Sequence, residues 1–313
     1  MQKMLVFLTG LSGGLGSLLA ERMAGLAEVE GITGIDVIAP RRPLPPKVRF
    51  VEMDVRSSEL TAMMAGHDTV IHTAFITKWL AKMPAAVRRD INVNGAHNLA
   101  EAAIANRVHR LVHTSSTATY DIPRLVGRSG LTEDSPLGRG NLNYYCNDKS
   151  AAERTLTEVL RASDIILTIL RPCSFVGPNS SQTLEGFRDT ASRLPGRDPR
   201  VQVAHEDDVV AAFFRAVCSD LPGAYNVAPD DFIRMSEVLK ITGSKWVPII
   251  PVRLLQMFLG IRWRYLGSPT HPCWAGASLG DYTASNAKLK ATGWKPRYGS
   301  ADALRSVMAA ASC

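Results

Sequence analysis

Short apolar runs alternate with longer segments of helical periodicity along the first half of the chain. The runs MLVFLT, GITGID, VRFVEMD, DTVIHTA, RLVHTSS and DIILTILRP are nearly continuous in apolar and β-branched residues. Strands that are buried on both faces have this composition, whereas half-exposed strands alternate polar and apolar residues. Helical patterns such as 14–26 and NVNGAHNLAEAAIANR lie between the runs. The alternation therefore predicts a parallel sheet with helices on both faces.

This pattern predicts an α/β fold with a doubly wound parallel sheet of the Rossmann type. The pattern becomes irregular after Pro172, where Pro, Gly and Trp are more frequent. We therefore expect a sheet domain over residues 1–172, to which segments near 200–230 return. The remainder, 173–313, should form mainly a smaller, mixed lobe that binds substrate.

A glycine-rich turn, TGLSGGLG, joins the first predicted strand to the first predicted helix. Gly10 permits a tight turn, Gly13 lets backbone amides approach a pyrophosphate, and Gly16 lets the helix pack closely on the strand. The pyrophosphate would then lie at the positive end of the helix dipole. The turn alone is a weak signal, but its position between strand and helix predicts a dinucleotide site.

An acid ends the second predicted strand, as a dinucleotide site requires. Asp36 follows Gly16 by twenty residues, where a carboxylate accepts hydrogen bonds from the adenosine ribose. A carboxylate there repels a ribose phosphate, so the pattern favours NAD over NADP, although Arg41 and Arg42 could bind that phosphate. Asp54, which ends the third strand, either hydrogen-bonds the adenine amino group or caps the strand.

The fifth predicted strand and the helix after it carry a possible acid/base group. Ligands of an open parallel sheet bind beyond the carboxyl ends of its strands, where HTSSTATY places Ser116. In NYYCNDKSAAE, Tyr145 and Lys149 are four residues apart and share a helix face. A lysine ammonium there could lower the tyrosine pKa toward neutrality. Tyr144 has Asp148 at the same spacing, which gives no such help, so Tyr145 is the predicted acid/base.

Composition excludes several other classes of protein. The net charge is +7, but the basic residues are scattered, so no nucleic-acid partner is expected. Five cysteines without paired spacing favour free thiols in a reducing, cytoplasmic compartment and indicate neither a disulfide framework nor a metal site. The segment WVPIIPVRLLQMFLGI is interrupted by prolines and Arg253 and is too short to span a membrane. We expect it to be a core or pocket-lining helix.

The chain resembles an extended short-chain dehydrogenase/reductase of the NAD-dependent epimerase/dehydratase kind. The motifs TGLSGGLG, GID, MDV, VIHTAF, VHTSSTATY, YYCNDKSAAE, LRPCSFVGP and HEDDV carry this resemblance over nearly the whole length. The resemblance implies a small-molecule substrate, a homodimer, and Ser116, Tyr145 and Lys149 as catalytic residues. It implies a cofactor site formed by Gly10, Ser12, Gly13, Gly14, Leu15, Gly16, Asp36, Asp54, Val55, Thr73, Ala74, Phe75, Asn92, Tyr145, Lys149, Pro172 and Cys173.

Three departures from the family's sequence patterns narrow the range of possible substrates. Thr117 and Ala118 stand where the 4,6-dehydratases carry an acidic pair after the catalytic Ser or Thr. Ser174 replaces an asparagine that contacts the diphosphate of sugar nucleotides, and Gln202 replaces an arginine that binds the nucleotide. A nucleotide-sugar substrate is therefore disfavoured. In HEDD, the resemblance implies helix capping rather than metal binding.

Three functions remain open at this stage. The leading one is an NAD(P)-dependent oxidoreductase that moves a hydride between nicotinamide and a secondary alcohol or ketone. The second is a nucleotide-sugar epimerase with tightly bound NAD, which would show no net cofactor turnover. The third is a non-enzymatic NAD-sensing regulator, although such proteins typically lack the Tyr–Lys pair. The C-terminal aromatic residues line either a pocket or the core: Trp246, Phe258, Trp263, Tyr265 and Trp274.

Overall fold

The computed structural model describes residues 3–78, 82–121, 130–139, 143–180, 182–189, 193–244, 248–268, 270–278 and 280–310. Its strands are β1 (Met4–Thr9), β2 (Val29–Asp36), β3 (Val48–Glu52), β4 (Thr69–His72), β5 (Arg110–Thr114), β6 (Ile166–Pro172), β7 (Ser174–Val176), β8 (Arg200–Val201), β9 (Val203–His205), β10 (Gly223–Val227) and β11 (Ile233–Arg234). Its helices are α1 (Gly14–Ala24), α2 (Leu60–Met63), α3 (Ala85–Arg89), α4 (Gly95–Ala105), α5 (Tyr144–Val159), α6 (Gln182–Asp189), α7 (Glu206–Val217), α8 (Met235–Ile241), α9 (Val252–Tyr265), α10 (Ala287–Lys290) and α11 (Ser300–Ala310). A π-helical turn (Asp90–Asn94) and 3-10 segments (Thr117–Thr119, Leu160–Ala162 and Pro272–Ser278) complete it.

Seven strands form one parallel sheet in the order β10-β6-β5-β4-β1-β2-β3. The order reverses between β1 and β4, as in a doubly wound sheet, so the predicted fold class is confirmed. Strand β10 comes from the later part of the chain and pairs with β6 along its whole length. The carboxyl ends of β1, β4 and β5 consequently lie side by side at one edge of the sheet.

The sheet is covered on both faces, which explains why its strands are apolar throughout. On one face, α1 and α7 pack on the sheet through buried residues such as Leu18, Leu19 and Phe213. On the other face, α4 and α5 pack through Leu99 and Leu156. Small residues along α4 and α5 let these two helices approach each other and the sheet: Ala96, Ala100, Ala103 and Ala152. This packing holds α5 against the end of β5.

The predicted element boundaries need small corrections. Several predicted strands are longer than observed, because polar residues at their ends turn into loops: the fourth ends at His72 and the fifth at Thr114. The predicted helix starting at Asn92 instead begins near Ala85 and passes through the π-helical turn Asp90–Asn94 before α4. An extra residue in a helical turn re-aims the side chains around it, and Asn92 lies in this turn.

The segment predicted to be a core or pocket-lining helix is placed differently. Its helix, α9, begins at Val252 and buries only Leu255 and Leu259 among its described side chains. Most of its apolar side chains are exposed, so the interpretation as a core helix is wrong. Trp246, at the start of the predicted segment, lies outside the described residues. No helix in the described part of the chain has the length and apolar character needed to cross a membrane.

Candidate active site

The carboxyl end of β5 presents two serines in different environments. Ser115 is buried, and its hydroxyl hydrogen-bonds the Glu153 carboxylate on α5. Ser116 begins the 3-10 turn Thr117–Thr119, and its hydroxyl oxygen accepts a hydrogen bond from the Ala118 amide at 3.1 Å. This cap fixes the direction of the Ser116 side chain. Its hydroxyl proton remains available to an acceptor on α5.

Helix α5 places Tyr145 against Ser116. Asn143 caps the helix, since its side chain accepts a hydrogen bond from the Cys146 amide at 2.9 Å, so Tyr145 belongs to the first turn. A side-chain hydrogen bond joins Ser116 and Tyr145 and lowers the pKa of the phenol, but burial has the larger effect and raises that pKa well above its usual range. At neutral pH the buried phenol is therefore a proton donor.

Two aromatic rings enclose Tyr145. The Phe75 ring, which follows β4, meets it edge to face with ring centres 5.6 Å apart. The Trp274 ring, from the 3-10 segment Pro272–Ser278, lies 5.6 Å from it at an angle of 47°. Aromatic contacts of this kind fix the plane of a ring. Trp274 is thus a C-terminal aromatic residue that borders the site.

Lys149 shares the site, but the pKa of Tyr145 is not lowered overall as the sequence predicts. Its Nζ donates a hydrogen bond to the Thr114 carbonyl at 2.6 Å and lies 3.8 Å from the centre of the Phe75 ring. Burial lowers the pKa of Lys149 to about 7, partly opposed by the Glu153 carboxylate. The Tyr145 pKa is raised rather than lowered, because burial of the phenol outweighs the other influences.

Tyr144, the neighbouring tyrosine, is held in a structural position. Its hydroxyl donates a hydrogen bond to the Thr77 carbonyl at 3.0 Å. Its ring contacts the Arg88 guanidinium, 4.9 Å away, and the His271 ring, 5.3 Å away. Tyr144 therefore faces away from Ser116, in agreement with the choice of Tyr145 as the acid/base group.

Asn92 connects the loop after β4 with α5. Its side-chain oxygen accepts a hydrogen bond from the Ile76 amide at 2.7 Å, and its Nδ2 donates to Asp148 at 3.1 Å. Asp148 also forms a buried salt bridge with Arg88 at 2.8 Å. Asn92 and Asp148 thus position the loop that contains Phe75 relative to α5.

The glycine-rich turn has the geometry that a dinucleotide requires. Gly10 has a φ of +76°, and a Cβ there would lie 2.6 Å from the Ala74 amide nitrogen. At Gly16 a Cβ would lie 2.0 Å from the Gly10 carbonyl oxygen. Gly13 is the N-cap of α1 and, being glycine, offers no side-chain acceptor to the amides of the first turn. Those amides and the helix dipole fit a pyrophosphate.

The remaining residues predicted from the turn and from β4 lie around it. The Thr73 hydroxyl donates a hydrogen bond to the Thr9 carbonyl at 2.7 Å, which ties the end of β4 to the turn. Gly14 meets the Asn179 carbonyl, which would lie 2.5 Å from an added Cβ. Leu15 packs against the core beneath the turn.

Asp36 closes the turn on its far side. Its carboxylate accepts hydrogen bonds from the Ser12 amide at 3.0 Å and from the Ile38 amide at 3.2 Å. Arg42 donates a hydrogen bond to Asn179 Oδ1 at 3.0 Å. Since Arg42 is bound to Asn179, it is less available for a ribose phosphate, which favours the NAD alternative.

The contacts of Asp54 match the alternative in which this residue caps the end of the third strand. Arg56 donates to both of its carboxylate oxygens, at 3.0 and 2.6 Å, and holds the Asp54 pKa below its usual range. Arg56 also pairs with Asp90 at 2.7 Å. The next residue, Val55, is buried and would touch a Cβ at Gly95. Both oxygens of Asp54 are thus already hydrogen-bonded within the protein.

The end of β6 contributes the two remaining residues of the predicted site. Pro172 pairs with Val227 of β10, and the Cys173 amide donates to the Val227 carbonyl at 3.0 Å. Burial raises the pKa of the Cys173 thiol to about 12. A thiol in that state is a weak nucleophile, so Cys173 contributes packing and backbone shape.

Gln202, which stands where nucleotide-sugar enzymes carry an arginine, and Arg200, two residues earlier, are both bound within the fold. The Gln202 side chain exchanges hydrogen bonds with the backbone of Pro229 and Ala284. Arg200 forms a salt bridge with Asp281 at 2.7 Å. These contacts hold both side chains against other parts of the protein.

The HEDD segment caps α7. His205 is the N-cap residue, and its Nδ1 accepts a hydrogen bond from the Asp207 amide at 3.1 Å. Asp208 accepts hydrogen bonds from the Arg297 and Tyr298 amides. In the described part of the chain, no three His, Cys, Asp or Glu side chains are grouped so as to hold a metal ion.

A buried polar network supports the site from below. Arg171 on β6 forms a salt bridge with Glu153 on α5 at 2.6 Å, and both side chains are almost fully buried. Arg171 also donates to the Tyr120 hydroxyl at 3.1 Å, which donates in turn to Asn226 at 2.6 Å. The network links β6, β10 and α5 directly behind Ser115.

Sequence reasoning missed this network and the contact between Trp274 and Tyr145. A signal existed for Glu153, which follows Lys149 by four residues and so lies on the same helix face. Its partner Arg171 is on a later strand, and pairing between distant segments leaves no mark in a single sequence. Trp274 was only one of several C-terminal aromatic residues.

The family is decided by a model that matches residues 6–228, well over half of the chain, described as the NAD-dependent epimerase/dehydratase family. The chain belongs to the NAD-dependent epimerase/dehydratase family. The predicted family is thus confirmed. NAD is also confirmed as the cofactor at the level of the family.

Curated relatives agree with this assignment. A Mycobacterium tuberculosis (strain ATCC 25618 / H37Rv) protein without an assigned function is 28% identical over 258 residues, which cover 78% of this chain and 67% of the relative. The 2-alkyl-3-oxoalkanoate reductase of Shewanella oneidensis is 28% identical over 278 residues, 80% of this chain and 68% of the reductase.

Solved structures share the fold. A Bordetella bronchiseptica enzyme in complex with NAD aligns with a TM-score of 0.75 at 21% identity, over 98% of this chain and 94% of that one. The UDP-glucose 4-epimerase of Thermotoga maritima with UDP-glucose aligns with a TM-score of 0.74 at 18% identity, over 96% of each chain.

Proposed function

We propose that this protein is an NAD-dependent oxidoreductase that reduces a ketone to a secondary alcohol, with Tyr145 as the acid. The observation that carries the proposal is the buried Tyr145 phenol, hydrogen-bonded to Ser116 beside the carboxyl end of β5. The glycine-rich turn follows β1 at the same edge of the sheet, two strands away. A proton donor and a dinucleotide cradle therefore flank one cleft.

Each residue has a distinct role in this reaction. When bound, NADH would supply the hydride that reduces the carbonyl carbon. Tyr145 donates its phenolic proton to the carbonyl oxygen, and Ser116 hydrogen-bonds the same oxygen and orients it. Lys149 stabilises the tyrosinate left behind and holds the nicotinamide ribose. The tyrosinate then regains a proton from solvent.

The raised pKa of Tyr145 keeps its phenol protonated at neutral pH, which is the form that reduction of a ketone requires. A neutral phenol is ready to donate a proton, whereas oxidation of an alcohol requires the phenolate as a base. Burial disfavours that phenolate. Lys149 lies nearby with a pKa lowered to about 7, so its ammonium is only partly populated at neutral pH.

An apolar ketone suits the surroundings better than a nucleotide sugar. Phe75 and Trp274 enclose Tyr145 with aromatic faces. Gln202 and Arg200 are bound to Ala284 and Asp281 instead of pointing to a ligand. The relative named 2-alkyl-3-oxoalkanoate reductase has a ketone substrate with an alkyl chain by its name. These features together support a ketone with an alkyl chain, such as a 3-oxoalkanoate.

The epimerase alternative is supported by the structural similarity to UDP-glucose 4-epimerase over nearly the full chain, and by a relative of the same name that is 29% identical over 236 residues. An epimerase oxidises and reduces its substrate in one cycle, so it shows no net change of NADH. A regulator that only senses NAD would bind the cofactor and turn over no substrate at all.

The test is a spectrophotometric assay of NADH oxidation with 3-oxoalkanoates of increasing chain length, and with UDP-glucose and UDP-galactose as nucleotide-sugar probes. The proposal predicts net NADH consumption that increases with alkyl length. Interconversion of the sugar nucleotides without net NADH change would replace it by the epimerase alternative. NAD binding without turnover of any probe would favour the regulator.

A further inference from the structure

Helix α9 carries an apolar stripe that faces away from the protein. Its members follow one another at spacings of one, three or four residues and are between 50% and 77% exposed: Leu254, Met257, Phe258, Ile261 and Tyr265. At about 100° per residue, these five positions fall within an arc of roughly 100° on one side of the helix. Contiguous exposed apolar surface of this kind marks an interaction site.

The opposite face of α9 fixes the orientation of the stripe. Leu255 and Leu259 are buried and pack with Leu194 and Ala275. The helix also lies along the 3-10 segment Pro272–Ser278, which contains Ala275. Because this face is anchored in the fold, the stripe cannot rotate inward.

Arginines border the stripe on both sides. By the same helical geometry, Arg253 and Arg264 lie along one edge and Arg262 along the other. Arg253 and Arg264 are exposed, and the Arg262 guanidinium carbon lies 5.8 Å from the centre of the Phe258 ring. The sequence holds no Asp or Glu between Glu237 and Asp281, but five Lys or Arg residues. The exposed face of α9 and its two edges are therefore apolar and cationic.

We propose that α9 binds in the plane of an anionic lipid bilayer, with its stripe among the acyl chains and its arginines at the headgroups. A helix with an apolar face and cationic borders has the features of an interfacial membrane helix. Anionic lipids attract each cationic residue near the surface. A second copy of this chain fits less well, since a twofold contact would bring the same arginines together without acids to pair them.

The candidate site lies next to this surface. The 3-10 segment that packs on α9 through Ala275 also places Trp274 against Tyr145. Because this segment packs on the face of α9 opposite the stripe, docking would hold this wall of the site directly behind α9, close to a bilayer that could contain an alkyl ketone. This consequence rests on the proposed function, whereas the docking itself does not.

The experiment is flotation of the purified full-length protein with lipid vesicles, which requires no substrate. Two vesicle compositions are compared: pure phosphatidylcholine, and phosphatidylcholine with one third phosphatidylglycerol. We expect the wild type to float with the anionic vesicles, and at high salt to lose most of that binding. Arg253→Gln and Arg264→Gln should each weaken binding about five-fold.

Two neighbouring substitutions provide the matched control. Met257→Glu places a charge in the stripe and should reduce vesicle binding at least ten-fold, whereas Gln256→Glu adds the same charge on the opposite side of the helix and should bind like the wild type. Circular dichroism and NAD binding confirm that each variant is folded. Equal losses in the two variants, or failure of the folded wild type to float, would overturn the proposal. The proposal would also be overturned if light scattering showed that the wild type is a dimer that does not bind vesicles and that Met257→Glu dissociates this dimer.

Discussion

The ring of Trp274 lies 5.6 Å from the ring of Tyr145, which brings a residue of the C-terminal lobe into contact with the proposed acid. Phe75, which lies in the loop after β4, also contacts the ring of this tyrosine. The two aromatic residues come from distant segments of the chain and meet only in the folded protein. Tyr145 is thus positioned by both the sheet domain and the lobe.

Replacing Trp274 tests whether this wall binds the substrate. Trp274→Ala removes an aromatic contact, and we expect kcat/KM for long-chain ketones to fall about ten-fold, mostly through KM. Phe232→Ala, which removes an exposed aromatic ring stacked on Arg200, serves as the control and should leave kcat/KM unchanged. A fall in kcat alone would show that Trp274 orients Tyr145 instead of binding the alkyl chain.

The buried salt bridge between Glu153 and Arg171 should dominate the stability of the network behind the site. Glu153→Gln leaves a buried guanidinium without its charge partner and should lower the free energy of unfolding by about 3 to 5 kcal/mol. Glu158→Gln, on the same helix, breaks only the exposed pair with Arg161 and should cost less than about 1 kcal/mol. Urea unfolding measures both, and equal effects would contradict this account.

The lowered pKa of Lys149 predicts a specific pH dependence of stability. The folded protein releases this proton near pH 7, whereas the unfolded chain holds it up to about pH 10.5. The unfolded state binds more protons between those values, so the free energy of unfolding should rise with pH in that window. Lys149→Met removes the titrating group, and its stability relative to the wild type should be highest at or below pH 7.

Urea unfolding of the wild type and Lys149→Met at several pH values provides the measurement. The difference between the two proteins should shrink steadily as pH rises from about 7 toward 10.5. A difference that does not vary with pH would mean that Lys149 keeps an ordinary pKa in the folded protein. The ammonium would then be fully charged at neutral pH, as the sequence interpretation assumed.

Asp36 should set the preference between NAD and NADP. Asp36→Ala removes the carboxylate that would bind the ribose and repel a phosphate, so NAD should bind more weakly and NADP relatively better. Asp54→Ala removes an acid near the end of the adjacent strand that is paired with Arg56, and it should leave the ratio of the two affinities unchanged. Calorimetric titration of each protein with NAD and with NADP measures these affinities. Tighter binding of NADP than of NAD by the wild type would contradict the assignment of Asp36.

The sequence was sufficient to predict the sheet and the positions of the cofactor turn. The positive φ of Gly10 and the close approach of Gly16 to the Gly10 carbonyl oxygen both arise within one short stretch of chain. The apolar strands likewise carry their burial in their own composition. Such features depend on short stretches of chain, which a single sequence displays directly.

The parts that escaped prediction depend on distant partners and on burial. The Lys149 ammonium was expected to lower the Tyr145 pKa, but the structure encloses the phenol between Phe75 and Trp274, and burial raises that pKa. Sequence spacing gives the lysine a place on the helix but says nothing of how much water reaches the tyrosine. In the same way α9 was expected in the core, because its apolar residues do not show which face lacks a partner.

The most direct test of the central claim compares Tyr145→Phe with Tyr144→Phe in the NADH-dependent reduction of an accepted ketone. Each variant loses one hydroxyl group, but only Tyr145 lies beside Ser116, whereas Tyr144 donates to the Thr77 carbonyl. We predict that Tyr145→Phe reduces the rate of hydride transfer by at least about 100-fold with NADH binding retained, and that Tyr144→Phe retains most of the activity. Equal rates in the two variants, or the reverse ranking, would contradict the assignment of Tyr145 as the acid.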